Sequence, residues 1–277
     1  MSAESIRTAW QQHGDDPEGV ASRFEALVQA CPDDDAPALV GLIVHVHGEH
    51  LRTWRAGEAL VARLPASDAR RRGLATLQLC RGEPLSLEGA DRARVLAVAA
   101  SAVAAHGRIG DAARWLDEAS ALVAGIDDGH AAVRAVAITA NNLSVELVRH
   151  DGRSADETAL MLRAAHLAQV TWARAGTWVN DERAAYQLAK AYASAGQGEQ
   201  AVAHAQRCLA VCEAHDADAG ERLFGHEALA TAYLAGGRHE EAAAAARDAR
   251  ALLDSVDEGL RSYATDTVDR LDERLKE

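Results

Sequence analysis

Aromatic residues make up only 4% of this 277-residue chain, although 48% of it is hydrophobic. A core of that kind is mostly Ala and Leu, which suits closely packed helices rather than a sandwich or barrel, where aromatic and β-branched residues dominate. Proline is absent from everything after Pro84; the five prolines are Pro17, Pro32, Pro37, Pro65 and Pro84. The long proline-free remainder is expected to be almost continuous helix, since an interior Pro costs about 3 kcal/mol. No run approaches ~18 consecutive apolar residues, so no membrane span is expected. The stretch from Met1 to Trp10 lacks the apolar run of a signal peptide. Cysteine is sparse too: Cys31, Cys80, Cys208 and Cys212 are too scattered for a disulfide framework. The chain therefore reads as cytoplasmic. Basic charge is also in deficit, with 29 Lys and Arg against 42 Asp and Glu and a net charge of -13. A nucleic-acid reader needs a basic face for phosphates, and the one dense group, Arg70, Arg71 and Arg72, reads as a solvated helix face. Neither nucleic acid nor membrane is expected as a partner.

What the chain does have is self-similarity. Leu188-Ala189-x-x-Tyr192 and Leu229-Ala230-x-x-Tyr233 share one pattern. Each runs into a turn glycine (Gly196, Gly237) and then a second helix opened by a small residue (Ala201, Ala242). A period of a few dozen residues built of two short helices means stacked helical hairpins, because one hairpin cannot bury its own apolar face. Hairpins are expected at 92–124, 130–175, 178–215 and 221–253, with a last helix over 259–275. Residues 1–87 read as irregular N-terminal helical hairpins, 88–256 as the repeats and 257–277 as a C-terminal capping helix. Within the first part, Asp16-Pro17-Glu18 marks a helix start, and that helix is expected to run to about Cys31. A further hairpin follows over 38–51 and 54–64.

The paired Leu-Ala, the Tyr, the turn Gly and the small residue of the second helix resemble the tetratricopeptide repeat family. The hairpins around Gly107 and around Asn141-Asn142-Leu143 fit more loosely. Equivalent turns are 41 to 45 residues apart, longer than the ~34 of the standard repeat, as in the longer-repeat bacterial branches. The resemblance implies an all-α fold: a right-handed α-solenoid of TPR-like hairpins, about thirteen or fourteen helices in all. It also implies a non-enzymatic scaffold or regulator that holds a protein or peptide segment in its concave groove. First helices line that groove in the family, which nominates Asn142, Arg183, Tyr186, Lys190, Phe224 and Glu227. Arg183, Tyr186 and Lys190 fall at spacings of three and four, one stripe on one helix. They look like part of a carboxylate clamp, so an acidic or C-terminal carboxylate-bearing segment is the expected ligand. Gln187 stands where a second basic residue would be wanted. Pairing of Arg183 and Lys190 with Glu182 and Asp181 on a solvated face is the plainer alternative. Either way, replacing both cations is expected to leave stability nearly intact.

Other motifs carry less. Gly196-x-Gly198-x-x-Ala201 matches a dinucleotide fingerprint, but helix rather than strand precedes it. His226-Glu227 and His239-Glu240 open like a zinc-protease motif, yet Ala230 and Ala243 occupy the second histidine position. His45, His47 and His50 form the densest histidine cluster. On an α-helix His47 and His50 share a face while His45 points away, so the three are not expected to bind a metal jointly. Cys208 and Cys212 read as small core residues, and Trp172 and Trp178 as buried at a hairpin junction. No metal and no cofactor is expected. The alternatives to a binding scaffold are a cytoplasmic ligand-sensing regulator and a metal-binding or enzymatic protein centred on His47 and His50.

Overall fold

A computed structural model describes residues 3–276, and every regular element among them is helical. The chain forms two compact units that divide after Asp127.

The first unit contains α1 (Ala3–Gln12), α2 (Pro17–Ala21), α3 (Phe24–Gln29), α4 (Ala36–His45), α5 (Trp54–Val61), α6 (Asp68–Cys80), α7 (Gly89–Ala104) and α8 (Ile109–Ala124). Asp16 caps α2 by accepting from the Gly19 N–H, with Pro17 at the first position. The single helix expected from Pro17 to Cys31 is in fact broken at Ser22 and Arg23. The Ser22 hydroxyl and Arg23 Nε both donate to the Gly19 carbonyl. The Arg23 N–H turns to Val20 instead, three residues back, so the α ladder is interrupted there.

Fully buried Phe24, Leu39, Leu42, Ile43, Val61 and Leu77 make the core of this unit. At its C-terminal end α4 widens into a π turn, Val46–His50, closed by the Leu51 N–H on the Val46 carbonyl at 3.0 Å. The widening carries His47 inward, where its Nδ1 lies 2.6 Å from the Thr53 hydroxyl and its ring 5.5 Å from that of Phe24. Gly57 makes the room: a Cβ there would stand 2.8 Å from the His47 Cβ.

The second unit stacks α9 (Ala131–Arg149) with α10 (Ala155–Ala175), α11 (Trp178–Ser194) with α12 (Gly198–Ala214) and α13 (Ala219–Ala235) with α14 (His239–Ala251), followed by α15 (Glu258–Arg274). Each helix touches the next, and α11 also touches α9 and α13, while α13 touches α15. First helices thus lie side by side along one face. Their starts are capped in the sequence: Ser154 with Glu157 and Thr177 with Asn180 form capping boxes, and Asp218 accepts from the Glu221 N–H. Gly196 and Gly237 turn each hairpin at φ +70° and +69°, a conformation open to glycine without cost. At Gly198 a Cβ would meet the Gly236 Cα at 2.5 Å. The glycine pair that mimics a dinucleotide fingerprint therefore serves close packing of one hairpin turn on the next.

Alanine fills the interior: Ala189, Ala201, Ala205, Ala228 and Ala232 are wholly buried. Small residues bring helices close, which leaves little space for a phenol between them. Accordingly Tyr192 and Tyr233, expected to be largely buried, are only half-buried at the rim of that core. Tyr192 stacks on His204 with ring centroids 5.3 Å apart and reaches His166 Nε2 at 2.6 Å. The Arg238 guanidinium covers Tyr233 at 4.4 Å. Cys208 and Cys212 are buried free thiols. Trp172 is buried, while Trp178 is half-buried and stacks on His215. Among the described residues no helix is long and apolar enough to cross a membrane.

Candidate functional site

A pocket of about 410 Å³ opens on the face formed by α9, α11, α13 and α15. Val145, Phe224, Leu260 and Tyr263 give it apolar walls, and Asn141, Glu182, Arg183, Gln187, Asp218 and Glu221 give it polar ones, with Tyr186 between them. The helical repeat dictates who faces inward. Glu182, Arg183, Tyr186 and Gln187 are three to four apart on α11, and Glu221 and Phe224 are three apart on α13. Phe224 links the aromatic wall, its ring 6.3 Å from Tyr186 and 5.7 Å from Tyr263.

Of the six nominated residues, Arg183, Tyr186 and Phe224 line this pocket. Glu227 and Lys190 lie behind the wall. Glu227 is 4% exposed and accepts from Tyr186 (3.1 Å), Lys190 (2.5 Å) and Thr231 (3.0 Å). It acts as an anchor that fixes the Tyr186 ring. Burial, and then the Glu227 carboxylate, hold the Tyr186 phenol well above its ordinary pKa, so it stays a donor. Asn142 is exposed and outside the pocket; its neighbour Asn141, about 100° around the helix, lines it instead.

Neither cation is free. Arg183 is bonded to Glu221 on α13, with Nε at 3.2 Å, and Lys190 to Glu227. The same-helix pairing with Glu182 and Asp181 is not what forms; Asp181 pairs with Arg207. Three carboxyl groups, Glu182, Asp218 and Glu221, face one guanidinium in the lining. Glu182 is unusual: 1% exposed, it accepts from the Cys208 thiol at 2.8 Å through Oε1, while Oε2 has no hydrogen-bond partner. Burial pushes its carboxyl up to about 7, the Cys208 bond opposing and the Glu221 charge adding. A hydrogen bond with Cys212 and burial in turn raise the Cys208 thiol far above its usual value, so it is no nucleophile.

The histidine cluster is rearranged by the π turn. His47 is 5% exposed and lies in the core of the first unit, so it shares no face with His50. His45 and His50, five apart, meet instead with Nε2 atoms 3.3 Å apart, the spacing an i→i+5 turn brings together.

The repeat pattern does not reach α15, whose charged end reads as a solvated cap. The only sequence signal is a pair of large apolar residues, Leu260 and Tyr263, on a helix otherwise rich in charge; both are exposed, at 37% and 57%. Asp218 and Glu221 were legible only as capping residues.

These hairpins make a tetratricopeptide-like repeat fold. The chain resembles the nearly identical TPR-like repeats of a putative kinesin light chain from Podosopora anserina, at 16% identity and a TM-score of 0.51 over 79% of this chain and 93% of that one. It also aligns with a signal transduction ATPase with numerous domains from Pyrococcus horikoshii that carries a tetratricopeptide repeat sensor, at 14% identity and a TM-score of 0.48 over 91% of this chain and 42% of that one. No protein-family model matches the chain, and no curated protein is similar to it in sequence.

Proposed function

We propose that the chain is a non-enzymatic binding protein, a cytoplasmic scaffold or regulator that holds a segment of a partner protein in the pocket between α9, α11, α13 and α15. One observation carries the reading: a concave pocket of about 410 Å³ whose rim exposes Leu260 and Tyr263 while its floor is pinned by Glu227. Large apolar side chains left in water beside a concavity are the usual mark of a binding surface, and rigid aromatics are effective anchors. The volume suits one or two inserted side chains. Charge selects further. Because Arg183 is bonded to Glu221 and the remaining lining is acidic, the favoured segment pairs an apolar side chain with a basic group near Asp218 and Glu221. An acidic or carboxylate-terminated segment would have to displace Glu221 from Arg183. The pocket also falls within the ~300–1,000 Å³ of small-molecule sites, which keeps a ligand-sensing regulator as the second reading.

The test is selection of peptides from a random display library against the purified chain, followed by hydrogen exchange with the tightest peptide bound. Slowed exchange at 182–187, 218–225 and 260–263 supports the reading. Protection confined to other helices, or no peptide selected above background, refutes it.

A further inference from the structure

A second cluster lies in the first unit, well away in sequence from the pocket residues. His13, just past α1, joins His45 and His50 at the π turn, and one ring nitrogen from each lies within 4.8 Å of the other two. The rings sit edge to face, His13 4.8 Å from His45 and 5.2 Å from His50, and His45 4.9 Å from His50. We propose that these three imidazoles are the ligands of a divalent transition metal, Zn²⁺ being the natural occupant.

The geometry is that of a site rather than of a histidine-rich surface. Two nitrogens each ~2.0–2.1 Å from a tetrahedral ion stand roughly 3.3 Å apart, and the His45 and His50 Nε2 atoms are separated by 3.3 Å. Outer groups already orient two of the rings. The Glu49 carboxylate takes the His45 Nδ1 side at 3.1 Å, and the Trp10 carbonyl accepts from His13 Nδ1 at 2.5 Å. In each ring this leaves Nε2 as the ligand atom, the arrangement by which carboxylates and carbonyls fix metal-binding imidazoles. Glu49 is itself held, accepting from the Ser101 hydroxyl on α7 at 3.0 Å. The Trp10 ring stacks on His45 at 5.4 Å, covering one side. His50 is exposed and the other two are half-buried. A fourth position therefore opens to water, as in three-ligand zinc sites that bind or activate a molecule, rather than the closed four-ligand structural kind.

The π turn explains why the set is invisible in the linear pattern. On a regular α-helix His45 and His50 would diverge, and His13 is thirty-odd residues earlier with no spacing to betray it. Three neutral imidazoles suit Zn²⁺, Cu²⁺ and Ni²⁺ and not Mg²⁺ or Ca²⁺, which take oxygen ligands.

The experiment uses the full chain with any polyhistidine tag removed, stripped with chelator and titrated with ZnCl₂ at neutral pH in the presence of a competing zinc dye. One equivalent should bind, with a Kd in the micromolar range or tighter. His13→Gln and His50→Gln should each weaken binding tenfold or more, and Glu49→Gln by about tenfold through the loss of its hold on His45. His239→Gln, an exposed position on α14 of the second unit, should bind as wild type does. Far-UV circular dichroism confirms that each variant is folded, and nitrogen hyperfine structure in the Cu²⁺ spectrum counts the imidazoles directly. Absence of saturable zinc binding by the wild type, retention of full affinity in the His13→Gln/His50→Gln double variant, or a copper spectrum with fewer than three nitrogens overturns the proposal.

Discussion

Replacing Glu182 with Gln should remove a loss of stability that the second unit of the wild type suffers as pH rises through neutrality. The Glu182 side chain is 1% exposed, with one partner on Oε1 and none on Oε2. Burial raises its carboxyl from 4.5 to about 7, against the pull of the Cys208 thiol and of Arg183 and with Glu221 adding to it. A carboxyl that holds its proton more tightly folded than unfolded stabilises the fold at low pH. That contribution is complete below the ordinary value and is lost as pH rises through the folded one. The size of the shift corresponds to about 3 kcal/mol, of which roughly 2–3 kcal/mol should disappear between about pH 5 and about pH 8. Gln keeps the shape, does not titrate, and its amide can donate toward Glu221. Urea unfolding of both proteins across that range gives the answer. The histidines that burial holds low, His166, His204 and His226, contribute equally to both and cancel in the difference. The stability of Glu182→Gln relative to wild type should therefore climb by about 2–3 kcal/mol over the range. Two curves that stay parallel would refute a Glu182 carboxyl whose proton is held by burial.

Two further substitutions separate anchors from rim. Lys190→Ala strands Glu227, 4% exposed, and should cost about 3 kcal/mol; Arg183→Ala, whose side chain is 65% exposed, should cost at most ~1 kcal/mol, so the two cations are not equally dispensable. Tyr192→Ala should cost about 2 kcal/mol, below the ~3–5 of a fully buried aromatic, because the ring is only half-buried; chemical denaturation measures all three.

The hairpin architecture was legible because it repeats. Leu-Ala-x-x-Tyr, the turn glycines and the missing prolines recur, and helix caps at Ser154, Thr177 and Asp218 are written in local sequence. What failed was anything set by a departure from ideal helix or by a neighbour far along the chain. The break at Ser22 and Arg23 arises from side chains competing for one carbonyl. The π turn shifts the phase of every histidine after Val46, so a 3.6-residue wheel pairs His47 with His50 when the fold pairs His45 with His50. On α9 an error of one residue exchanged Asn142 for Asn141. Periodicity placed Arg183, Tyr186 and Lys190 on one stripe of α11, but it could not say that Glu221 and Glu227, around forty residues on, would claim both cations. Ion pairing between repeats leaves no local signature.

The most direct measurement of the central claim is the affinity of the tightest display-selected peptide for the wild-type chain and for a Leu260→Ser/Tyr263→Ser variant. Both side chains are exposed rim residues, 37% and 57% accessible, so the variant should unfold at nearly the same urea concentration. The Kd of the variant should rise by about tenfold or more, ~1.4 kcal/mol for each tenfold. An unchanged Kd in an equally stable variant would contradict binding at this pocket.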